Sequence, residues 1–203
     1  MEQPFVGRND QSYSLGPLTE YQRKLREGNT SKNTVKNHVT AKLHALNTER
    51  VCSIPLWPGA SYKDLPADLR ISRKAPQENS CSRLDLLGIQ NTCMTVMGIL
   101  GRYGKVIHPT QYRIESVREY ARVQGFPDSY VFDLENWTVG DAIRGIGNAV
   151  PIPLGRSLAK GFLDSWMEHT KLPGRNSDAT RTSDGEIGTS MDDAINLISD
   201  DDE

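Results

Sequence analysis

After Pro173-Gly174 the chain loses most of its means of building a core, which confines folding to what precedes. The last 29 residues carry 2 basic and 9 acidic side chains among serine and threonine, a net −7. The first 174 carry 22 basic and 17 acidic side chains, a net +5. The overall −2 of the 203 residues is therefore a weakly basic body offset by an acidic tail, and disorder is expected over residues 173–203. A body of this length suits one ordinary domain or part of a larger one.

Cys52, Cys81 and Cys93 cannot all pair and show no C-x-x-C spacing, which argues against a disulfide scaffold or a zinc site and for a reducing compartment. No run approaches the ~18 apolar residues of a membrane helix, and residues 1–10 lack the apolar core of a signal peptide. A soluble intracellular protein is expected, with no membrane partner and no bound metal.

Residues 1–18 read as an irregular start. Thr19-Glu20-Tyr21-Gln22 has capping-box form and opens a short basic helix that Gly28-Asn29 ends. A second helix is predicted from Ser31 to about Arg50, centred on 34–49, with Val35, Val39, Leu43 and Leu46 on one stripe. Lys32, Lys36 and Lys42 lie off that stripe, either as a solvated face or as phosphate contacts. Pro55, Pro58, Gly59 and Pro66 make the next stretch a connector of fixed shape. Residues 70–83 read as a loop, basic through Arg70, Arg73, Lys74 and Arg83, and a strand-prone stretch punctuated by Gly88, Gly98, Gly101 and Gly104 follows.

Val106-Ile107 is a short predicted strand, turned by His108-Pro109. Ser116-Val117-Arg118-Glu119 repeats the capping box before a helix over 116–125, stopped by Gly125 with Pro127 beyond. Gly145-Ile146-Gly147-Asn148 suggests a tight turn whose glycines allow close backbone approach. A last helix over 152–168 carries Leu154, Leu158, Phe162 and Trp166 along an expected core-facing stripe.

Two stretches, Ser116 to Asp128 (Ser-Val-Arg-Glu-Tyr-Ala-Arg-Val-Gln-Gly-Phe-Pro-Asp) and Gly147 to Leu154 (Gly-Asn-Ala-Val-Pro-Ile-Pro-Leu), resemble the last two signature motifs of DNA cytosine-5 methyltransferases. Four upstream blocks resemble the maintenance-type eukaryotic branch in the same order: Tyr21 to Arg26, Ile54 to Gly59 with Asp64-Leu65-Pro66, Arg83-Leu84-Asp85, and Gly104 to Pro109. The resemblance implies an α/β parent fold with a doubly wound sheet, of which this chain is an incomplete mixed α+β piece. It assigns residues 19–104 to part of the target-recognition region and 105–172 to the C-terminal segment of the methyltransferase domain.

In that family a cysteine thiolate attacks a flipped-out cytosine, a glutamate assists, and S-adenosylmethionine supplies the methyl group. None of the three cysteines here follows a proline, and no Phe-x-Gly-x-Gly loop is present. Glu135-Asn136-Trp137 is similar to the family's Glu-Asn-Val element but lies on the wrong side of the Arg118–Asp128 signature, so it reads as coincidence. No catalytic residue is assigned, and the chain is expected to be inactive alone, as a truncated, split or decayed copy.

By resemblance Asn148, Ala149 and Val150 border S-adenosylmethionine, although Gly147-Asn148 could simply cap the last helix. Arg118, Glu119 and Arg122 brace the recognition region, with Glu119 and Arg122 spaced for a surface pair. Arg102 and Tyr103 face double-stranded DNA from a loop tip, or are a solvated turn. His108 reads as a turn residue. In the tail, Ile195, Leu197, Ile198 and Ser199 ahead of Asp200 to Glu203 resemble a SUMO-interaction motif, an aliphatic strand with an acidic flank. A separate chain carrying the catalytic half is a further expected partner, and the resemblance places the protein in the nucleus. The competing reading is a non-catalytic DNA- or chromatin-associated regulator.

Overall fold

A β-hairpin-like pair opens the chain in the computed structural model, which describes residues 7–29, 34–70 and 79–170. Strand β1 (Gly7–Ser12) runs antiparallel to β2 (Thr34–Val39), with Asp10 opposite Lys36 and Gln11 opposite Val35. Between them lies helix α1 (Glu20–Arg26), which Thr19 caps by accepting from Gln22 N–H at 3.1 Å. The Gln22 carboxamide reaches one residue further back than a capping box requires and accepts from Leu18 N–H at 2.6 Å.

Two expectations fail here. Residues 7–12 are a strand within a stretch read as irregular, and the single helix expected from Ser31 to Arg50 is β2 followed by helix α2 (Ala45–Ser53). The reason lies in the spacing. Val35 and Val39 are four apart, which puts them on one face of a helix but equally on one face of a strand, because four is even. The intervening residue, Asn37, is polar yet fully buried, which hides the alternation. Its backbone is left-handed (φ 62°), a conformation asparagine tolerates better than most residues. Its carboxamide pairs with the main chain of Phe132, donating to the carbonyl at 2.8 Å and accepting from the amide at 2.9 Å.

The proline-punctuated connector takes a fixed course through a single 3-10 turn at Tyr62–Asp64, burying Ile54, Ala60 and Leu65. Among the described residues after it, strand β3 (Ser82–Arg83) pairs in parallel with β4 (Lys105–Ile107). Residues 84–104 are turns and irregular chain, not a strand. Helix α3 (Val117–Val123) follows with the capping box of Ser116 and Glu119 complete in both directions. Helix α4 (Val139–Asn148) starts from a second such box, Thr138 with Asp141. The expected tight turn at Gly145–Asn148 is thus the last turn of α4. Close approach at Gly147 is real nonetheless, since a Cβ there would lie 2.4 Å from Met94 O.

The chain divides into two compact units, Met1–Pro151 and Ile152–Glu203. The boundary expected at 104/105 falls inside the first, whose core gathers Leu25, Val51, Ile107, Val117, Tyr120 and Ile146. The second contains helix α5 (Ile152–Thr170), whose extent matches the expectation. Its stripe does not face a core: Leu154, Leu158, Phe162 and Trp166 are each at least half exposed, and no α5 residue is buried. No helix among the described residues is long and apolar enough to cross a membrane. The tail residues Ile195, Leu197, Ile198 and Ser199 lie outside the described residues, as do Lys32, Arg73 and Lys74.

Candidate functional site

Helix α3 organises the charged groups of the first unit. The capping box uses one oxygen of Glu119 on Ser116 N–H at 2.8 Å, and the Arg113 guanidinium forks onto both Glu119 oxygens at 2.6 and 2.7 Å. Burial raises the proton affinity of Glu119, but the Arg113 fork and the Ser116 amide outweigh it and hold the carboxyl at about 2. The surface pair expected between Glu119 and Arg122 is not made. Arg122 instead forks onto Asp128 at 2.9 and 2.7 Å, because the turn after Gly125 returns that carboxylate to the helix.

Arg118 is fully buried. It donates to the carbonyls of Lys36 and Pro127 at 3.0 Å each and to that of Tyr130, and it lies 3.9 Å from Asp128. Asp128 also accepts from the Tyr13 hydroxyl, and its amide donates to Leu25 O at 2.7 Å. Of the three expected brace residues, Arg118 ties α3 to β2, and Arg118 and Arg122 tie it to the segment carrying Phe126, Tyr130 and Phe132, whose rings meet edge-on or tilted at 5.0–5.6 Å, whereas Glu119 holds the chain ahead of the helix through Arg113.

Arg83 departs most from its reading as part of a basic loop. It is buried and donates to four main-chain carbonyls: Ile54 at 2.9 Å, Pro55 at 2.8 Å, Gln111 at 2.7 Å, and His108. One guanidinium thereby ties the connector to the turn after β4. Within that turn burial and the nearby Arg113 cation push His108 down to about 4, leaving it neutral near pH 7. Its 3.7 Å approach to Glu119 is then a polar contact and not an ion pair. Glu115, buried beside Gln90 Nε2 at 2.9 Å, is pushed up to about 8 by burial and by the Glu119 carboxylate.

Asn148 closes α4, and Ala149 is its C-cap. Asn148 therefore cannot be the N-cap of α5. Its side chain is exposed, Ala149 is half-buried, and Val150 is 59% exposed. An accessible amide and an accessible isopropyl group thus lie beside the carbonyl end of α4. Arg102 and Tyr103 occupy a separate exposed turn, formed where Gly101 adopts φ +95° and Gly104 N–H returns to Gly101 O at 3.2 Å.

A profile of the family described as C-5 cytosine-specific DNA methylase matches residues 8–163. This chain belongs to that family. The DNA methylase match spans most of β1 and most of α5, so it takes in every described candidate residue. The chain is 37% identical over 183 residues to DNA (cytosine-5)-methyltransferase 2 of Arabidopsis thaliana, covering 79% of this chain and 12% of that protein. It is 34% identical to DNA (cytosine-5)-methyltransferase 1A of rice, over 76% of this chain and 11% of that protein. With DNA (cytosine-5)-methyltransferase 1 of mouse the identity is 29%, over 72% and 12%. The chain thus spans about an eighth of the length of these curated relatives. A solved prophage-encoded protein from Escherichia coli, described as a DNA modification methyltransferase, shares the fold at TM-score 0.50 and 22% identity. That likeness covers 76% of this chain and 40% of the other, in keeping with an incomplete piece of the α/β methyltransferase fold.

Sequence reasoning missed Arg113, Tyr13, Asn37 and Gln124, and it gave Asp128 no role. Asp128 could have been found, since it closes the signature stretch that contains both of its arginine partners. No local signal marks Asn37 or Arg83, whose partners lie far along the chain, on Phe132 and Arg118 for the first and on main-chain carbonyls for the second.

Proposed function

We propose that these residues form the DNA-facing and cofactor-bordering part of a DNA cytosine-5 methyltransferase that acts on double-stranded DNA in the nucleus with S-adenosylmethionine as methyl donor. The family match over residues 8–163 carries this reading. Asn148, Ala149 and Val150 contribute one wall of the cofactor site, which supplies an electrophilic methyl group when the cofactor is bound. Arg102 and Tyr103 meet the duplex, and Arg118, Glu119 and Arg122 hold the recognition segment in place. The reacting thiolate comes from outside these 203 residues. Cys81 and Cys93 are buried and pushed up to about 11, chiefly by that burial, so neither supplies a thiolate at neutral pH. Cys52, though exposed, does not follow a proline.

Duplex binding tests the DNA-facing assignment. Anisotropy of a labelled duplex titrated with the chain should show binding that weakens as salt rises, and Arg102→Ser should reduce the slope of log K against log salt by roughly one. No binding at low salt, or an unchanged slope in the variant, contradicts it.

The acidic tail supports a second partner. Ile195, Leu197 and Ile198 followed by Ser199 and four acids suit addition as a strand to the edge of SUMO, with the acids at a basic rim. Titration of the chain into labelled SUMO should give saturable shifts that Ile195→Ala with Leu197→Ala abolishes. Shifts indifferent to those substitutions sink the idea.

A further inference from the structure

Helix α3 works on two sides. Arg118 and Arg122 point toward Asp128, whereas Tyr120 and Gln124, also one turn apart, lie about 200° round the helix from them. The Tyr120 hydroxyl donates to Met94 O at 3.0 Å and accepts from Met94 N–H, fixing that backbone on both sides. Gly147 of α4 leans on the same place, since a Cβ there would lie 2.4 Å from Met94 O and 2.6 Å from Thr95 N. Gln124 completes the arrangement. Its Nε2 donates to Ile146 O and to Ala149 O, both at 3.1 Å, while Ile146 O also accepts from Ala149 N–H at 3.2 Å. The last carbonyls of a helix have no partner within it, so the end of α4 depends on such outside donors for its shape.

We infer that Gln124 is the positioning residue for the Asn148-Ala149-Val150 edge: its carboxamide clamps the carbonyls on either side of Asn148, while Tyr120 and Met94 form the surface against which Gly147 sets the depth of the helix end. This rests on the reading of that edge as cofactor-bordering. Gln124 acts through the main chain, and a single helix thereby grips the Asp128 segment with one face and the proposed cofactor edge with the other.

Amide hydrogen exchange by NMR on the labelled, full 203-residue chain tests the clamp. In the unaltered protein the Gln124 side-chain amide protons should exchange roughly tenfold more slowly than those of a free glutamine amide. Gln124→Met keeps the length and removes the donors, so exchange at Ala149 N–H should quicken roughly threefold to tenfold, with core amides such as Val51 unchanged. Gln124→Glu adds a signature that loss of packing lacks. Its carboxylate repels both carbonyls near neutral pH, whereas its protonated form donates to one of them, so protection at Ala149 should recover on acidification in this variant and not in Gln124→Met. The clamp is overturned by fast exchange of the Gln124 amide in the unaltered chain, by unchanged Ala149 exchange in Gln124→Met, or by failure of Gln124→Glu to recover. The first of these needs no variant to fold. Exchange at Ala149 reports the clamp whether or not the edge borders a cofactor, so the cofactor reading stands or falls separately, on methyl transfer.

Discussion

Replacing Arg118 by methionine removes a guanidinium that no solvent reaches while roughly preserving the length of the side chain. Three main-chain carbonyls, those of Lys36, Pro127 and Tyr130, lose a charged donor. A buried acceptor left without its partner costs about 1–3 kcal/mol, so three would cost up to about 9 kcal/mol if nothing relaxed. Two effects reduce that sum. Asp128 keeps the fork from Arg122 and the Tyr13 hydroxyl, and water can enter the space beside the exposed Tyr130. The expected loss is therefore about 3–5 kcal/mol, the range found when one member of a buried ionic group is deleted. Against a total stability of about 5–15 kcal/mol for a domain this is a large fraction.

Urea unfolding followed by far-UV circular dichroism measures the loss, a better probe than fluorescence because Trp57, Trp137 and Trp166 are all at least half exposed. With a slope of about 2 kcal/mol/M, the midpoint should fall by about 1.5–2.5 M. Arg118→Lys should land between parent and Arg118→Met, since one ammonium group cannot reach three carbonyls as a planar fork does. Arg144→Met is the control: its pair with Asp141 is exposed on both sides, and its loss should stay under about 0.5 kcal/mol. If Arg118→Met cost no more than Arg144→Met, the claim that α3 is anchored through Arg118 would be wrong.

Other outcomes follow from the same contacts. Glu115 keeps its proton to about 8 when folded against an ordinary 4.5, so the fold loses stability as pH climbs through that interval; Glu115→Gln, which cannot ionise, should be more stable than the parent near pH 9 and about equal near pH 4. Glu119 has the opposite sign, held at about 2 against 4.5, so its contribution is complete above 4.5 and disappears as pH falls toward 2; Glu119→Gln should flatten that acid limb in urea titrations. An aromatic disulfide reagent should label Cys52 quickly and Cys81 and Cys93 only on unfolding, and two fast thiols would contradict the burial. Gly147→Ala gains roughly 1 kcal/mol of helix propensity. Contact with the Met94 backbone costs about 1–3 kcal/mol, so net destabilisation in thermal melts is expected, whereas a rise in Tm would deny the close approach.

What was legible in the sequence was local. Ser116 with Glu119 and Gly125 marked α3 to within a residue or two, because capping chemistry acts over three or four positions. The family blocks were legible for the same reason, being short runs of fixed residues. The strand β2 was not, because its two valines satisfy either periodicity and its central inward residue is an asparagine whose partner, Phe132, is 95 residues away. The stripe on α5 is legible as a stripe although its side chains are exposed, since periodicity reports which side chains share a face but not whether anything covers it. Gly145 and Gly147 suggest a turn at Asn148 because they resemble loop residues, yet Gly147 is helical and small so that two backbones can meet. Arg83 shows the limit most plainly, as a cation among basic neighbours in sequence that folds into a nest of carbonyls.

The central claim is that these residues serve cytosine methylation in DNA without supplying its reaction centre. Incubating the purified chain with hemimethylated duplex and S-adenosylmethionine labelled at the methyl group, then measuring labelled 5-methylcytosine in the digested DNA, tests it most directly. The expected result is no label from the chain alone, and label once a polypeptide bearing the family's Pro-Cys and Gly-rich loops is added and forms a complex with it. Label from the chain alone, or none from the assembled complex, would contradict the account.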